Sequence, residues 1–168
     1  RPRFVFAHVI SPHPPFVFGP DGEELTPDAP FTLKFTFDSG ATSVEDYLRG
    51  YRGQVVFVNQ EIERVIDSIL AHAATTPVII IQGDHGPDSP SGRVSYVPDR
   101  MPNLNAYLLP TGDAGLYPTI TPVNSFRVVF NEMFGGTYEM LPDRVLYSEY
   151  QSPYRFYDVT DAIVQPLP

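Results

Sequence analysis

Cysteine is absent from this chain of 168 residues, which excludes a disulfide framework and a thiolate zinc site and leaves the redox compartment open. Basic residues are scarce: 11 lysines and arginines face 20 acidic residues, for a net charge of -9. That balance opposes binding to nucleic acid or anionic lipid through bulk electrostatics, so an anionic substrate would need a local cation. Long hydrophobic runs are missing too, since no stretch approaches the roughly 18 apolar residues of a spanning helix. The start, Arg1-Pro2-Arg3, has no likeness to a signal peptide, and no internal repeat is visible. Proline, in contrast, is plentiful: 19 are spread along the chain, marking loops and strand ends rather than a disordered tail. The length suits one domain with a real core.

The chain is organised around Pro77-Val-Ile-Ile-Ile-Gln-Gly-Asp-His-Gly86. Val78 to Ile81 is a β-branched apolar run bounded by a proline and a glycine, the pattern of a strand buried on both faces. Adjacent side chains on a strand point to opposite faces, so Asp84 and His85 can address one ion only after the extended backbone has ended. Gly83 and Gly86 ease that turn. Ligands in open α/β sheets gather at the carboxyl ends of strands, where an Asp-His pair makes half of a metal site. Ordinary turn chemistry accounts for the same composition.

Phe4 to Ile10 reads as a second buried strand, running into Ser11-Pro-His-Pro-Pro15, where the prolines force a loop. Were this strand parallel to Val78–Ile81, His8 and His13 would arrive on the edge that carries Asp84 and His85. The competing reading makes His8 a hydrogen-bonded core histidine and His13 a loop residue. Residues 16–38 form a long surface excursion, with Phe31–Phe37 as a short edge strand or an extended lid segment. A capping box at Thr42-Ser-Val-Glu45 opens the strongest helix signal, with Tyr47, Tyr51, Val55, Val58, Ile62, Val65 and Ile69 on one stripe. Gly50 and Gly53 suggest two pieces, or a start near Gly53. Strand, loop, helix and strand in that order make a right-handed crossover. Arg93 and Arg100 are candidate anion contacts near Asp84, set against the commoner exposed arginine. Leu104–Leu109 is a further short strand. Thr121 caps a helix with Pro122 in its first turn, carrying Phe126, Val129, Phe130 and Met133 inward and closed by Gly135-Gly136. Short strands and irregular chain follow.

Phe6-Ala-His-Val-Ile-Ser-Pro-His-Pro-Pro-Phe16, the helix from Tyr51 to Leu70 and Ile79-Ile-Ile-Gln-Gly-Asp-His-Gly86 together resemble the alkaline phosphatase superfamily. The similarity is to the sulfatase-like branch that includes lipoteichoic acid synthases and phosphoethanolamine transferases. Thr121-Pro-Val-Asn-Ser-Phe-Arg-Val-Val-Phe-Asn131 and Leu141-Pro-Asp-Arg144 are similar to membrane-attached bacterial members of that branch. The resemblance implies a partial three-layer α/β/α sandwich: residues 1–168 as one fragment, the C-terminal half of a catalytic domain. It implies Asp84 and His85 as ligands of a divalent metal, zinc or manganese. His13 is implied as the catalytic histidine that contacts the transferred phosphate or sulfate, or a second metal, and His8 as a further substrate contact. The implied activity is hydrolysis or transfer of phosphate or sulfate esters, at a site outside a bacterial membrane. The nucleophile and an acidic ligand are expected upstream, in the missing half of the domain, so the isolated chain is expected to be inactive and prone to self-association through an exposed sheet edge. Family members also carry a histidine or lysine past the Asp-His pair, and here nothing after His85 is histidine. Two other readings remain: a binding module that keeps the fold without the chemistry, and an independent flavodoxin-like domain, which no glycine-rich phosphate loop supports.

Overall fold

The computed structural model describes residues 3–27, 43–87, 100–112, 115–149 and 151–164. The chain divides into two compact units, Arg1–His72 with Pro90–Gly92 and Ala73–Ser89 with Arg93–Pro168. The edge strand expected at Phe31–Phe37, the cap at Thr42 and Arg93 lie outside the described residues.

In the first unit one helix, α1 (Val44–His72), carries the packing. Its start is capped by Ser43, whose hydroxyl accepts the Asp46 N–H at 3.2 Å and donates to Asp46 Oδ2 at 2.7 Å. Those bonds draw the Asp46 carboxyl below its ordinary pKa, with help from the Arg49 guanidinium. At the other end His72 donates from Nδ1 to the Ser68 carbonyl at 2.7 Å, which suits the carbonyl-rich terminus.

Contrary to the expectation of a break, α1 runs without interruption through Gly50 and Gly53. These glycines give up helix propensity for close approach. A Cβ on Gly50 would enter the Phe16 ring, and one on Gly53 would meet Pro20 at 3.3 Å. Between them in space lies the fully buried Gln54, whose Oε1 accepts the backbone N–H groups of Val17 (2.7 Å) and Phe18 (3.2 Å). Phe16 stands edge-on to the buried Tyr47, with centroids 5.4 Å apart, and Phe18 lies 5.0 Å from Phe57. Beyond Phe18 the loop turns back at Gly22, where φ is +81° and the Gly22 N–H reaches the Gly19 carbonyl.

Gly50→Ala therefore sets two effects against each other. Helix propensity favours alanine by about 1 kcal/mol, while forcing the Phe16 ring aside costs about 1–3 kcal/mol. A net loss of about 1 kcal/mol in chemical denaturation is the expected result, and a stabilised variant would show that the ring moves freely.

Phe4–Ile10 does not form the strand that its composition suggests. Among the described residues it joins no ladder, and Phe4, Val5 and Phe6 are 88%, 81% and 79% exposed. Apolar content marks a segment as fit for burial, but a strand needs a hydrogen-bonding neighbour. Without that strand, the described residues hold no right-handed crossover to the strand at Ile79–Gln82.

The second unit begins with β1 (Ile79–Gln82), which pairs antiparallel with β2 (Asn105–Leu108), Ile79 opposite Leu108 and Gln82 opposite Asn105. The residues of β1 are half-buried apart from an exposed Gln82, so it is not the doubly buried parallel strand expected. Helix α2 (Pro122–Phe134) follows, with Pro122 in its first turn and Gly135 closing it at φ +66°. Then come β3 (Leu146–Glu149) and β4 (Ser152–Asp158), an antiparallel hairpin with a register shift between Tyr147 and Glu149, and the short α3 (Thr160–Val164). Among the described residues the architecture is thus mixed α/β, with helices and two small antiparallel sheets. The parallel pairing that a three-layer α/β/α sandwich requires is not among them.

Helix α2 is rotated from its apolar stripe. Asn124, Ser125, Val128 and Val129 are buried, whereas Phe126 and Phe130 are 44% and 43% exposed. Hydrogen bonds fix that rotation. Ser125 Oγ donates to the Thr121 carbonyl and bonds the Tyr107 hydroxyl on β2. Asn124, Arg127 and Asn131 hold the backbone of 138–141. Asn124 exchanges both bonds with Leu141 (3.0 and 2.7 Å), Arg127 donates to the Glu139 carbonyl, and Asn131 exchanges both with Tyr138 (2.7 and 2.9 Å).

Candidate functional site

β1 delivers the Asp-His pair and stops because its ladder gives way to bonds made by the segment returning toward β2. The Gly83 N–H still donates to the Leu104 carbonyl at 2.9 Å, and the Gly83 carbonyl accepts from Asn103 Nδ2 at 2.6 Å. Three residues on, the Gly86 N–H donates to the Arg100 carbonyl at 2.6 Å. Residues 83–86 are thereby pinned along 100–104 by backbone and amide bonds. Asp84 and His85 project from a held loop.

The pair is tied to itself as well. Asp84 Oδ1 accepts the His85 backbone N–H at 2.9 Å, leaving Oδ2 3.5 Å from His85 Nε2. His85 Nδ1 lies 2.8 Å from the Gly86 carbonyl, which can only accept, so Nδ1 carries the proton. The ring's lone pair is then on Nε2. Arg100 Nη2 stands 3.3 Å from that nitrogen. The Asp84 side chain is 83% exposed and that of His85 40%, so the site is open to solvent on the carboxylate side.

A tetrahedral ion with nitrogen and oxygen donors at about 2.1 Å holds neighbouring donors roughly 3.4 Å apart. Asp84 Oδ2 and His85 Nε2 meet that spacing. The fit covers a pair of donors, since no group of three metal-capable side chains gathers among the described residues.

His8 and His13 belong to the other unit. His8 is exposed, 6.4 Å centroid to centroid from Phe6. His13 is half-buried, its N–H bonded to the Ile10 carbonyl at 3.0 Å and its Nδ1 2.5 Å from the Pro14 carbonyl. With Nδ1 engaged, Nε2 is the nitrogen that His13 can offer to a ligand. The structure brings together Asp84, His85 and Arg100. The sheet edge by which His8 and His13 were to join them is not formed among the described residues.

Sequence reasoning passed over Asn103, whose amide fixes Gly83, and Asp143, which organises the start of α2. Asp143 Oδ1 accepts from the Thr121 N–H (2.7 Å), the Thr121 hydroxyl (2.6 Å) and Asn124 Nδ2 (3.0 Å), and Oδ2 accepts from the Tyr117 hydroxyl (2.5 Å). Burial works to raise its pKa, but the bonds from Thr121, Tyr117 and Asn124 outweigh it and hold the carboxyl below its ordinary value. Burial and the neighbouring Asp143 carboxylate push the Tyr117 phenol up.

Among the described residues no helix is long and apolar enough to cross a membrane. No family model, curated protein or solved structure matches the chain.

Proposed function

We propose that this chain is part of a metal-dependent enzyme that hydrolyses or transfers phosphate or sulfate esters, within a three-layer α/β/α domain. The observation that carries the reading is the Asp84–His85 pair on a pinned loop at the end of β1, with donor atoms at the spacing of neighbouring metal ligands. Asp84 Oδ2 and His85 Nε2 are the atoms that would hold zinc or manganese, which when bound supplies Lewis-acid polarisation of a phosphoryl or sulfuryl oxygen.

The remaining roles fall to the chain itself. Asn103 and the Gly83 and Gly86 amides hold the loop so that both donors face one point. The Gly86 carbonyl selects the tautomer in which His85 Nε2 is a donor rather than a proton carrier. His13, with Nδ1 engaged, offers Nε2 to the transferred group, and His8 is the second substrate contact. Such a domain would complete its sheet with residues upstream of these, and the exposed apolar Phe4–Ile10 is a segment suited to that pairing. The parent protein would then work outside a bacterial membrane.

The test is made in the full-length protein. Asp84→Ala and His85→Ala should each lower ester turnover by more than the roughly 10–100-fold typical of residues that only support a metal ligand, with a matching loss of bound metal by elemental analysis. Unchanged turnover in these variants and in His8→Ala and His13→Ala would instead identify a binding or interaction module that keeps the fold without the chemistry.

A further inference from the structure

We infer that Arg100 is a displaceable counter-cation that occupies the metal-facing lone pair of His85, so that the guanidinium and a divalent ion compete for one nitrogen. This rests on the metal reading above and adds a control to it. The geometry is specific. His85 Nδ1 is committed to the Gly86 carbonyl, Nε2 is the only ring nitrogen left, and Arg100 Nη2 stands 3.3 Å from it. Asp84 Oδ2 lies 3.5 Å from the same nitrogen, so the carboxylate and the guanidinium both approach Nε2.

The backbone of Arg100 is bound to the loop as well. The Gly86 N–H bonds the Arg100 backbone carbonyl at 2.6 Å, which sets the base of the side chain beside the loop. Residue 100 is thus tied to the loop through its backbone as well as through the guanidinium. Arginine stays charged across the working pH range and donates only. It can satisfy the lone pair of a neutral histidine, but it cannot share that lone pair with a metal ion. A divalent ion that binds Asp84 and His85 must break the Arg100 bond and place its own charge where the guanidinium was. Both steps subtract from its affinity. The released guanidinium is then a planar donor next to the ion, suited to an oxyanion.

Zinc chloride alone is the probe, titrated calorimetrically into the full-length protein and three of its variants. Arg100→Ala is expected to bind Zn²⁺ about tenfold more tightly than the unsubstituted chain, Arg100→Lys to stay within about threefold of it, and His85→Ala to lose the site. In parallel, the side-chain NMR signal of Arg100 should shift with the same midpoint as the His85 ring during titration. If Arg100→Ala binds no more tightly than the unsubstituted chain while His85→Ala still loses the site, the competition is overturned and the metal reading stands. If Zn²⁺ binding survives His85→Ala unchanged, or is absent from the full-length protein and from its Arg100→Ala variant alike, both fall.

Discussion

Asn124→Ala is expected to destabilise the second unit by about 3–5 kcal/mol, the range reached when a buried hydrogen-bond network is broken. Asn124 is fully buried, and every polar atom of its side chain is engaged. Its Oδ1 accepts the Leu141 N–H, and its Nδ2 reaches the Leu141 carbonyl, the Tyr117 hydroxyl and Asp143 Oδ1. Truncation removes one amide and leaves the Leu141 N–H and carbonyl without their partner and the Asp143 carboxylate one donor short. Asn131, about two helical turns along, makes the same paired bonds to Tyr138, but at the surface. Water can replace those bonds, so Asn131→Ala should cost only about 1 kcal/mol. Urea denaturation of the two variants measures the contrast directly. Equal losses would mean that the clasp on 138–141 acts as a row of independent surface bonds rather than through its buried end.

This clasp also shows where the sequence was readable and where it was not. The existence of α1, β1, β2 and α2 follows from local rules: β-branched runs, a stripe at helical spacing, Pro122 at a helix start and Gly135 at its end. Their environments do not follow. The aromatic residues of α2 formed the larger apolar stripe, yet Phe126, Phe130 and Phe134 pack against one another along an exposed face. Asn124, Arg127 and Asn131 turn toward the chain because backbone groups in 138–141 need partners, a demand no single-segment pattern contains. Spacing offered one signal, since three polar side chains capable of backbone bonding recur at positions 124, 127 and 131 on a helix. Gly50 and Gly53 were misread for a related reason. Propensity counted them as weak points, whereas the tertiary structure uses them as the floor on which Phe16 and Pro20 rest. For the candidate site, the Asp84–His85 pair was legible from the strand end before it. The partners of that pair were not, because Asn103 and Arg100 reach it only when residues 100–104 return beside the loop.

Asp143→Asn should flatten the acid side of the stability profile, an effect argued from the sign of the linkage. The bonds from Thr121, Tyr117 and Asn124 hold the Asp143 carboxyl below its ordinary pKa despite burial that acts the other way. A carboxyl depressed in the folded state binds fewer protons there than in the unfolded chain. Its contribution is complete above the unfolded value and disappears as pH falls through the folded one. Hydrogen bonds to a charged group contribute about 1.5–3 kcal/mol, so the substitution should cost about 2–3 kcal/mol at pH 7 and progressively less as acid protonates the carboxyl. On the alkaline side the raised Tyr117 phenol gives the opposite sign, with stability present below its unfolded value and lost as pH rises through the folded one. Asp46 and Asp158 are also depressed, by bonds from Ser43 and Thr160 first, but both are exposed and paired at the surface with Arg49 and Arg144. Salt of about 1 M shortens the screening length to about 3 Å and weakens such surface pairs. The Asp143 step, made of short bonds to a half-buried carboxylate, should survive that salt. Thermal melts of the unsubstituted chain and the asparagine variant from pH 7 to 2 would separate the two sources. An acid limb that keeps its slope in Asp143→Asn would assign the titration to the surface carboxylates instead.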